Sequence, residues 1–204
     1  MNLGVVTCFR IAIIVLLMFI GVVRTTQAQT TAQLLALKTA IAVSADLVQA
    51  GTPDCGGFVG VAVNAVPNTP DGNQCLSRVY ALAASPAFTV WKTSVTITQI
   101  GDNIVATEIA GLSSLNATRL QTIVQLSGDG INPSLADRRA FFDDIFSGAG
   151  GVGTKAKLLI LYKRLANRFE RIYATGTGSD AVPATLVLEG TVSASVIDTA
   201  RNLP

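Results

Sequence analysis

Apolar positions recur with helical spacing between polar positions over most of this chain, and that spacing predicts a mainly α-helical protein. Apolar residues recur three or four positions apart, and Thr, Ser, Asn, Pro or Gly bounds each run. The longest run, 154–174, has its leucines on one face and basic residues on the other. The predicted helices are 30–50, 74–84, 116–127, 134–147, 154–174 and 193–202.

A few segments carry strand signals instead. Residues 88–100 are rich in β-branched residues, which favours a strand, but Phe88, Trp91 and Val95 also share one helical face, and we favour the helix. Residues 58–63 and 184–189 predict short strands. We therefore expect the fold class to be mainly α, a single helical domain with one or two short strands, after an N-terminal apolar leader helix.

The first 28 residues show the three-part pattern of a secretory signal peptide. Arg10 precedes an apolar run over 11–23, and small residues follow up to Ala28. The run is shorter than the roughly 20 residues of a membrane span. We expect residues 1–28 to be a signal peptide or an uncleaved anchor, which would be the protein's sole membrane contact, and residues 29–204 to be one exported domain, periplasmic or extracellular. A start of translation near Thr30 is the alternative.

The charge of the chain bears on its partners, and its cysteines bear on a disulfide bond. The net charge of +2 comes from Arg10 and Arg24 of the leader, so the remainder is balanced and has no general attraction for nucleic acid. Cys8 belongs to the leader. Cys55 and Cys75 predict a disulfide that closes the Gly- and Pro-rich loop 52–75, with two free thiols as the alternative.

Residues suited to catalysis or cofactor binding do not form a defensible constellation. The chain has no histidine, the usual base of hydrolytic triads. The glycine-rich segment 148–155 places Thr154 before Lys155, the reverse of a phosphate-binding loop. Asp143 and Asp144 are a candidate pair of catalytic carboxylates, but neighbours on a helix point about 100° apart and cannot face each other across a cleft. We predict no enzyme activity, no cofactor and no metal; a hydrolase remains a minor alternative.

Several short motifs between Trp91 and Ala200 resemble a known group of proteins. They are Val90–Val95, Asn132–Ser134 with Arg138 nearby, Arg168–Arg171, Ala174–Gly178, Pro183–Leu186 and Glu189-Gly190. The segment Leu34–Ile41 also fits the opening helix of that group. These motifs are similar to those of small uncharacterised proteins of tailed phages and prophages. The resemblance implies a phage-borne protein, a virion or assembly component, and supplies no reaction or ligand. That group lacks the leader and the Cys55–Cys75 loop; without a working leader, the protein is expected to be virion-associated.

The segment 174–190 predicts a structural clasp after the longest helix. Gly176 and Gly178 permit a sharp turn, and Glu189 is then expected to reach back to Arg168 or Arg171. The longest predicted helix carries a basic face, formed by Lys157, Arg164, Arg168 and Arg171. We interpret this face as solvated, with contact to phosphate or an acidic partner as the alternative. The candidate interaction or clasp residues are Arg164, Arg168, Glu170, Arg171, Gly176, Gly178 and Glu189.

These observations favour a non-enzymatic structural or interaction protein. The expected partners are proteins, either further copies of the chain or other virion proteins, and nucleic acid is not expected. The alternative is an exported binding module that recognises an envelope or host component. A folded pocket with converging ionisable groups would speak against a protein that acts by contact alone.

Overall fold

Helices dominate the part of the chain that the computed structural model describes, which is residues 29–147 and 151–204. The expectation of a mainly helical fold is confirmed, although the described residues contain six short strands where one or two were expected. The helices are α1 (Thr31–Val43), α2 (Pro70–Ala81), α3 (Ile97–Asn103), α4 (Ala106–Ala110), α5 (Ser114–Leu126), α6 (Ala136–Ile145), α7 (Val152–Leu161), α8 (Arg168–Tyr173) and α9 (Ala194–Arg201). The strands are β1 (Thr89–Trp91), β2 (Val95–Thr96), β3 (Gly130–Ile131), β4 (Lys163–Leu165), β5 (Ala174–Thr175) and β6 (Thr185–Leu186).

The predicted leader, residues 1–28, lies outside the described residues. Within the described ranges, none of the helices has the length and apolar character needed to cross a membrane.

One hydrophobic core joins the two ends of the described chain. Helices α1, α2, α8 and α9 pack together around fully buried side chains, among them Leu37 of α1, Leu76 of α2 and Ile197 of α9. The C-terminal helix is also held by polar contacts, because Arg201 donates hydrogen bonds to the carbonyl oxygens of Val66 and Pro67. This core therefore fixes the position of α8, which carries the candidate site residues Arg168, Glu170 and Arg171.

The disulfide lies inside this core. Cys55 and Cys75 are bonded, with their Cα atoms 4.7 Å apart and both residues fully buried, as the sequence predicted. The placement of Cys75 on a helix is confirmed, but the loop prediction is partly wrong, because α2 already begins at Pro70 and two 3₁₀ turns, Gly56–Phe58 and Val63–Ala65, lie within the segment.

Helix α1 is shorter than predicted, and the strand expected at 58–63 is absent. After Val43 the chain runs alongside residues 60–64, where the Val48 amide donates to the Val61 carbonyl at 2.9 Å and the Val63 amide donates to the Asp46 carbonyl at 2.8 Å. The backbone groups of Asp46 and Val48 are therefore paired with this segment and not with a further turn of α1. These bonds also fix the backbone of Asp46 beside α2.

A second core lies between helices α3, α5, α6 and α7. Phe142 and Phe146 are its largest fully buried side chains, and Leu158 of α7 packs with them. Strands β2 and β3 pair antiparallel at its edge, with Val95 opposite Ile131.

The predicted helix 154–174 is wrong as a single element. It is divided into α7 and α8 by β4, which pairs antiparallel with β1 so that Leu165 lies opposite Thr89. Asn167 then starts α8 with a capping box, in which the Asn167 side chain accepts from the Glu170 amide and the Glu170 side chain accepts from the Asn167 amide. Thr154, expected to cap the long helix, is instead fully buried within α7.

The helix favoured for residues 88–100 is also wrong over most of its length. Thr89, Val90, Val95 and Thr96 lie in strands, in agreement with their β-branched side chains, and a helix begins only at Ile97.

Candidate functional site

The segment 174–190 folds back as a short hairpin against the first strand. Strands β5 and β6 pair antiparallel, and Ala184 forms a parallel bridge with Val90 of β1. Gly178 has a φ of +66°, and a Cβ at this position would lie 2.2 Å from the Phe88 ring. Gly176 has a φ of +124°, and a Cβ there would lie 3.2 Å from the Cα of Ala184. Both glycines are therefore required by backbone conformation and close packing.

The end of this hairpin is tied to α8 by a cluster of charged side chains, which we call the clasp (Arg164, Glu170 and Glu189). Arg164 donates two hydrogen bonds of 2.7 Å to the two carboxylate oxygens of Glu170, and a third of 2.8 Å to Glu189. The Glu170 side chain is only 3% exposed, whereas that of Glu189 is 41% exposed. Glu170 is therefore a buried charge, neutralised by a bidentate partner.

The remaining hydrogen-bonding capacity of Glu170 is used by the backbone. Its carboxylate accepts from the Gly190 amide at 2.9 Å and from the Asn167 amide at 3.1 Å. Burial alone would raise the pKa of Glu170, but the hydrogen bonds from Arg164, Gly190 and Asn167 outweigh it and hold the pKa below its ordinary value. The hydrogen bond to Glu170 also raises the pKa of the Arg164 guanidinium. The pair is thus charged at any physiological pH.

The partner predicted for Glu189 needs correction. The sequence analysis expected Arg168 or Arg171, on the assumption that all the basic residues lie on one helix. Strand β4 interrupts that helix, so Arg164 lies beside the hairpin and forms an ion pair with Glu189. Arg168 instead pairs with Asp46, and the distance from its Nη1 to Asp46 Oδ2 is 3.3 Å. The predicted basic helix face therefore does not exist as one surface.

Arg168 and Arg171 instead line a cleft beside α8, which we call the arginine cleft. Its volume is about 480 Å³, and one wall is formed by α1 and the segment that follows it. The lining residues are Ala40, Val43, Ser44, Ala45, Asp46, Val63, Val79, Tyr80, Ala84, Ser85, Arg168, Arg171 and Ile172. The two arginines are three positions apart on α8, a spacing that places them on the same side of the helix.

Both arginines are oriented by their surroundings. Arg171 Nη1 donates to the Ser85 carbonyl at 2.9 Å, and its guanidinium lies 5.5 Å from the centre of the Phe88 ring. The Arg168 side chain is 13% exposed, and its buried Nε has no acceptor among the described residues. These guanidinium groups therefore retain donor capacity that the described part of the protein does not use.

The arginine cleft is lined by four ionisable side chains, those of Asp46, Tyr80, Arg168 and Arg171. Arginine stays protonated at all relevant pH values, and burial raises the pKa of Tyr80 to about 12. Asp46 is 61% exposed and paired with Arg168. These ionisable groups converge in one cleft, which is the feature named above as speaking against a protein that acts by contact alone.

The glycine-rich segment behaves as a helix connection where it is described. The Glu108 carboxylate accepts hydrogen bonds from the amides of Gly153 and Thr154, at 2.8 and 2.7 Å, and so occupies the N-terminus of α7 that a phosphate would need. Asp143 and Asp144 form surface ion pairs with Lys155 and Arg119.

The arginine cleft was missed by sequence analysis because its parts come from distant segments. Asp46 and Val43 lie more than a hundred positions from α8, and no local pattern connects them. One signal was available: Asn167, three positions before Glu170, is a capping-box pattern that marks the start of α8. That pattern would have ended the long helix and separated Arg164 from Arg168 and Arg171.

Comparison with known proteins yields no match to a family model, a curated protein or a solved structure. Within the described ranges, no group of three or more Cys, Asp or Glu side chains is placed to hold a metal ion.

Proposed function

We propose that this chain is a non-enzymatic interaction protein, a structural component of a phage particle or of its assembly. The observation that carries the proposal is the arginine cleft, a concave surface that joins two oriented guanidinium groups to apolar walls. Such a combination is typical of sites that recognise another molecule. The assignment to phages rests on the short motifs between Trp91 and Ala200 described above.

The clasp supports this function by positioning α8. Glu170 accepts a hydrogen bond from the Gly190 amide, and Arg164 bonds both Glu170 and Glu189, so the start of α8 is tied to the end of the hairpin. A fixed helix presents Arg168 and Arg171 without a large loss of conformational freedom on binding. In this proposal the clasp residues are structural, and the contact residues are the two arginines.

Partner binding is tested by replacing an arginine of the cleft. The full chain is expressed with Arg171→Gln or with the control Arg138→Gln, a residue exposed on α6 that does not line the cleft. Size-exclusion chromatography with light scattering measures assembly mass alone and with purified particle proteins. Arg171→Gln should shift the distribution towards the monomer, while Arg138→Gln should match wild type. Equal assembly by both variants would refute a role for the cleft.

The second candidate is an exported binding module for an envelope or host component. The fully buried disulfide favours it, because such bonds form and persist in oxidising compartments. This function predicts a natural N-terminus near Gln29, a mass two hydrogens below the reduced form, and a monomer that sediments with purified envelopes. A mass beginning at Met1 with reduced cysteines would contradict export.

A further inference from the structure

We infer that the arginine cleft binds a single carboxylate carried on a short apolar stretch of a partner protein. This inference rests on the proposed function and specifies the chemistry that the partner must present. It uses three features of the cleft, which are its charge, its lining and its unused hydrogen-bond donors.

Charge favours a singly charged ligand. The charged residues that line the cleft are Arg168, Arg171 and Asp46, which together leave one net positive charge. One carboxylate neutralises that charge. A phosphate group with two charges would leave the cleft negative, next to Asp46, and is therefore expected to bind less well.

The lining favours an apolar carrier. Ala40, Val43, Val63, Ala84 and Ile172 contribute carbon surface around the arginines. Val43 is 73% exposed although it is apolar, so a partner side chain that covers it gains hydrophobic contact. The volume of about 480 Å³ is within the range of pockets that hold small ligands or a few side chains. A free inorganic ion would leave this apolar surface uncovered.

Donor geometry favours an acceptor with two oxygens. Arg171 uses one Nη1 hydrogen bond for the Ser85 carbonyl, which orients the guanidinium and leaves further N–H groups for a ligand. Arg168 has its Nη1 paired with Asp46, and its Nε is buried, so a ligand in the cleft is expected to meet the other Nη group. A carboxylate that enters between the two arginines supplies acceptors to both, in the fork-like arrangement that guanidinium groups prefer.

The inference is tested by backbone amide NMR titration of the full chain with defined probes. The probes are acetyl-Val-Ala-Val with a free C-terminal carboxylate, the same peptide as its amide, acetyl-Val-Glu-Val amide, and inorganic phosphate. Binding of the free acid alone would assign the ligand to a chain terminus, and binding of the glutamate peptide would assign it to an acidic side chain. The amide and phosphate are each expected to bind at least about tenfold more weakly than the better carboxylate peptide.

Two variants test whether the cleft is responsible. Arg171→Gln should weaken the carboxylate peptide about tenfold or more, and Arg138→Gln should leave its affinity unchanged. Asp46→Asn removes the competing negative charge and should tighten binding. Unchanged chemical shifts away from the cleft show that each variant is folded.

The outcomes separate this inference from the proposed function. Failure of both carboxylate peptides to bind more tightly than the amide peptide, tighter binding of phosphate, or an unchanged affinity in Arg171→Gln would each overturn the carboxylate inference. If these occur while Arg171→Gln still disrupts assembly, the cleft contacts its partner through other chemistry and the proposed function stands. If neither peptide binding nor assembly depends on Arg171, both fail.

Discussion

Replacing Arg164 with methionine removes the partner of the buried Glu170 charge and tests the clasp most sharply. Methionine is long and apolar, so it retains packing while it removes the guanidinium hydrogen bonds to Glu170 and Glu189. Glu170 would remain 3% exposed, with only the Gly190 and Asn167 amides to stabilise its charge. The expected result is a large loss of folding stability.

The magnitude follows from the geometry. Two hydrogen bonds of 2.7 Å between charged groups are lost, each contributing about 1.5–3 kcal/mol. Breaking one side of a buried ion pair costs about 3–5 kcal/mol, because the other charge is left without compensation. The matched control is Arg119→Met, which removes an ion pair of the same length, 2.7 Å to Asp144, whose side chains are 35% and 62% exposed. An exposed pair contributes about 0.2–1 kcal/mol.

The contribution of Glu170 to the pH dependence of folding stability should change sign in Arg164→Met. In wild type the folded pKa of Glu170 is below its ordinary value of 4.5, so its contribution is present above that pH and is lost on acidification. In Arg164→Met, burial without the guanidinium raises the folded pKa above 4.5. The folded state then binds a proton more tightly than the unfolded state, and the variant recovers stability as pH falls from 7 to 5.

Urea denaturation followed by circular dichroism at pH 7 and pH 5 measures both effects. The double variant Arg164→Met/Glu170→Gln removes the buried charge as well, and it should be more stable than Arg164→Met alone at pH 7. A loss in Arg164→Met no greater than in Arg119→Met, with no recovery at pH 5, would refute the assignment of Glu170 as a buried, compensated charge.

Two further stability predictions concern the hairpin and the disulfide. Gly178→Ala should lower the free energy of unfolding, measured by urea denaturation, by over about 1 kcal/mol more than the control Gly51→Ala. Both glycines have a positive φ, but of the two only Gly178 has a neighbour, Phe88, within 4 Å of the added Cβ. Equal losses in the two variants would contradict the close approach of Gly178 to Phe88. Replacing Cys55 and Cys75 with alanine should lower the free energy of unfolding by about 3 kcal/mol, and an unchanged urea midpoint would show that the bond contributes nothing to the core.

Local patterns predicted part of this fold. The spacing of apolar residues gave helices close to α5 and α9, and the even cysteine count gave the disulfide. The spacing failed over 154–174, where apolar periodicity continues through β4, although backbone pairing with β1 and the Asn167–Glu170 capping box interrupt the helix. Apolar periodicity indicates which face of a segment is buried. It does not reveal that a strand distant in sequence, here β1, hydrogen-bonds to the backbone groups that the helix would need.

The candidate site shows the same limit. Sequence analysis selected Arg164, Arg168 and Arg171 together because they recur on one predicted helix face. In the fold Arg164 belongs to the clasp, and Arg168 and Arg171 belong to the arginine cleft. The division depends on Asp46, whose position is set by backbone bonds to residue 63, and no pattern within either segment reveals that contact.

The central claim is that the protein acts through contacts at the arginine cleft. It is tested most directly by placing a photo-crosslinking amino acid at Val43, on the cleft, and as a control at Leu126, on α5 outside its lining; these side chains are 73% and 79% exposed. The full chain is produced in cells that normally make it and irradiated, and crosslinked products are identified by mass spectrometry. The account predicts a defined protein product at position 43 and none at 126, with the product a virion protein, a second copy or an envelope component. Crosslinks at 126 alone, or at neither position, would contradict it.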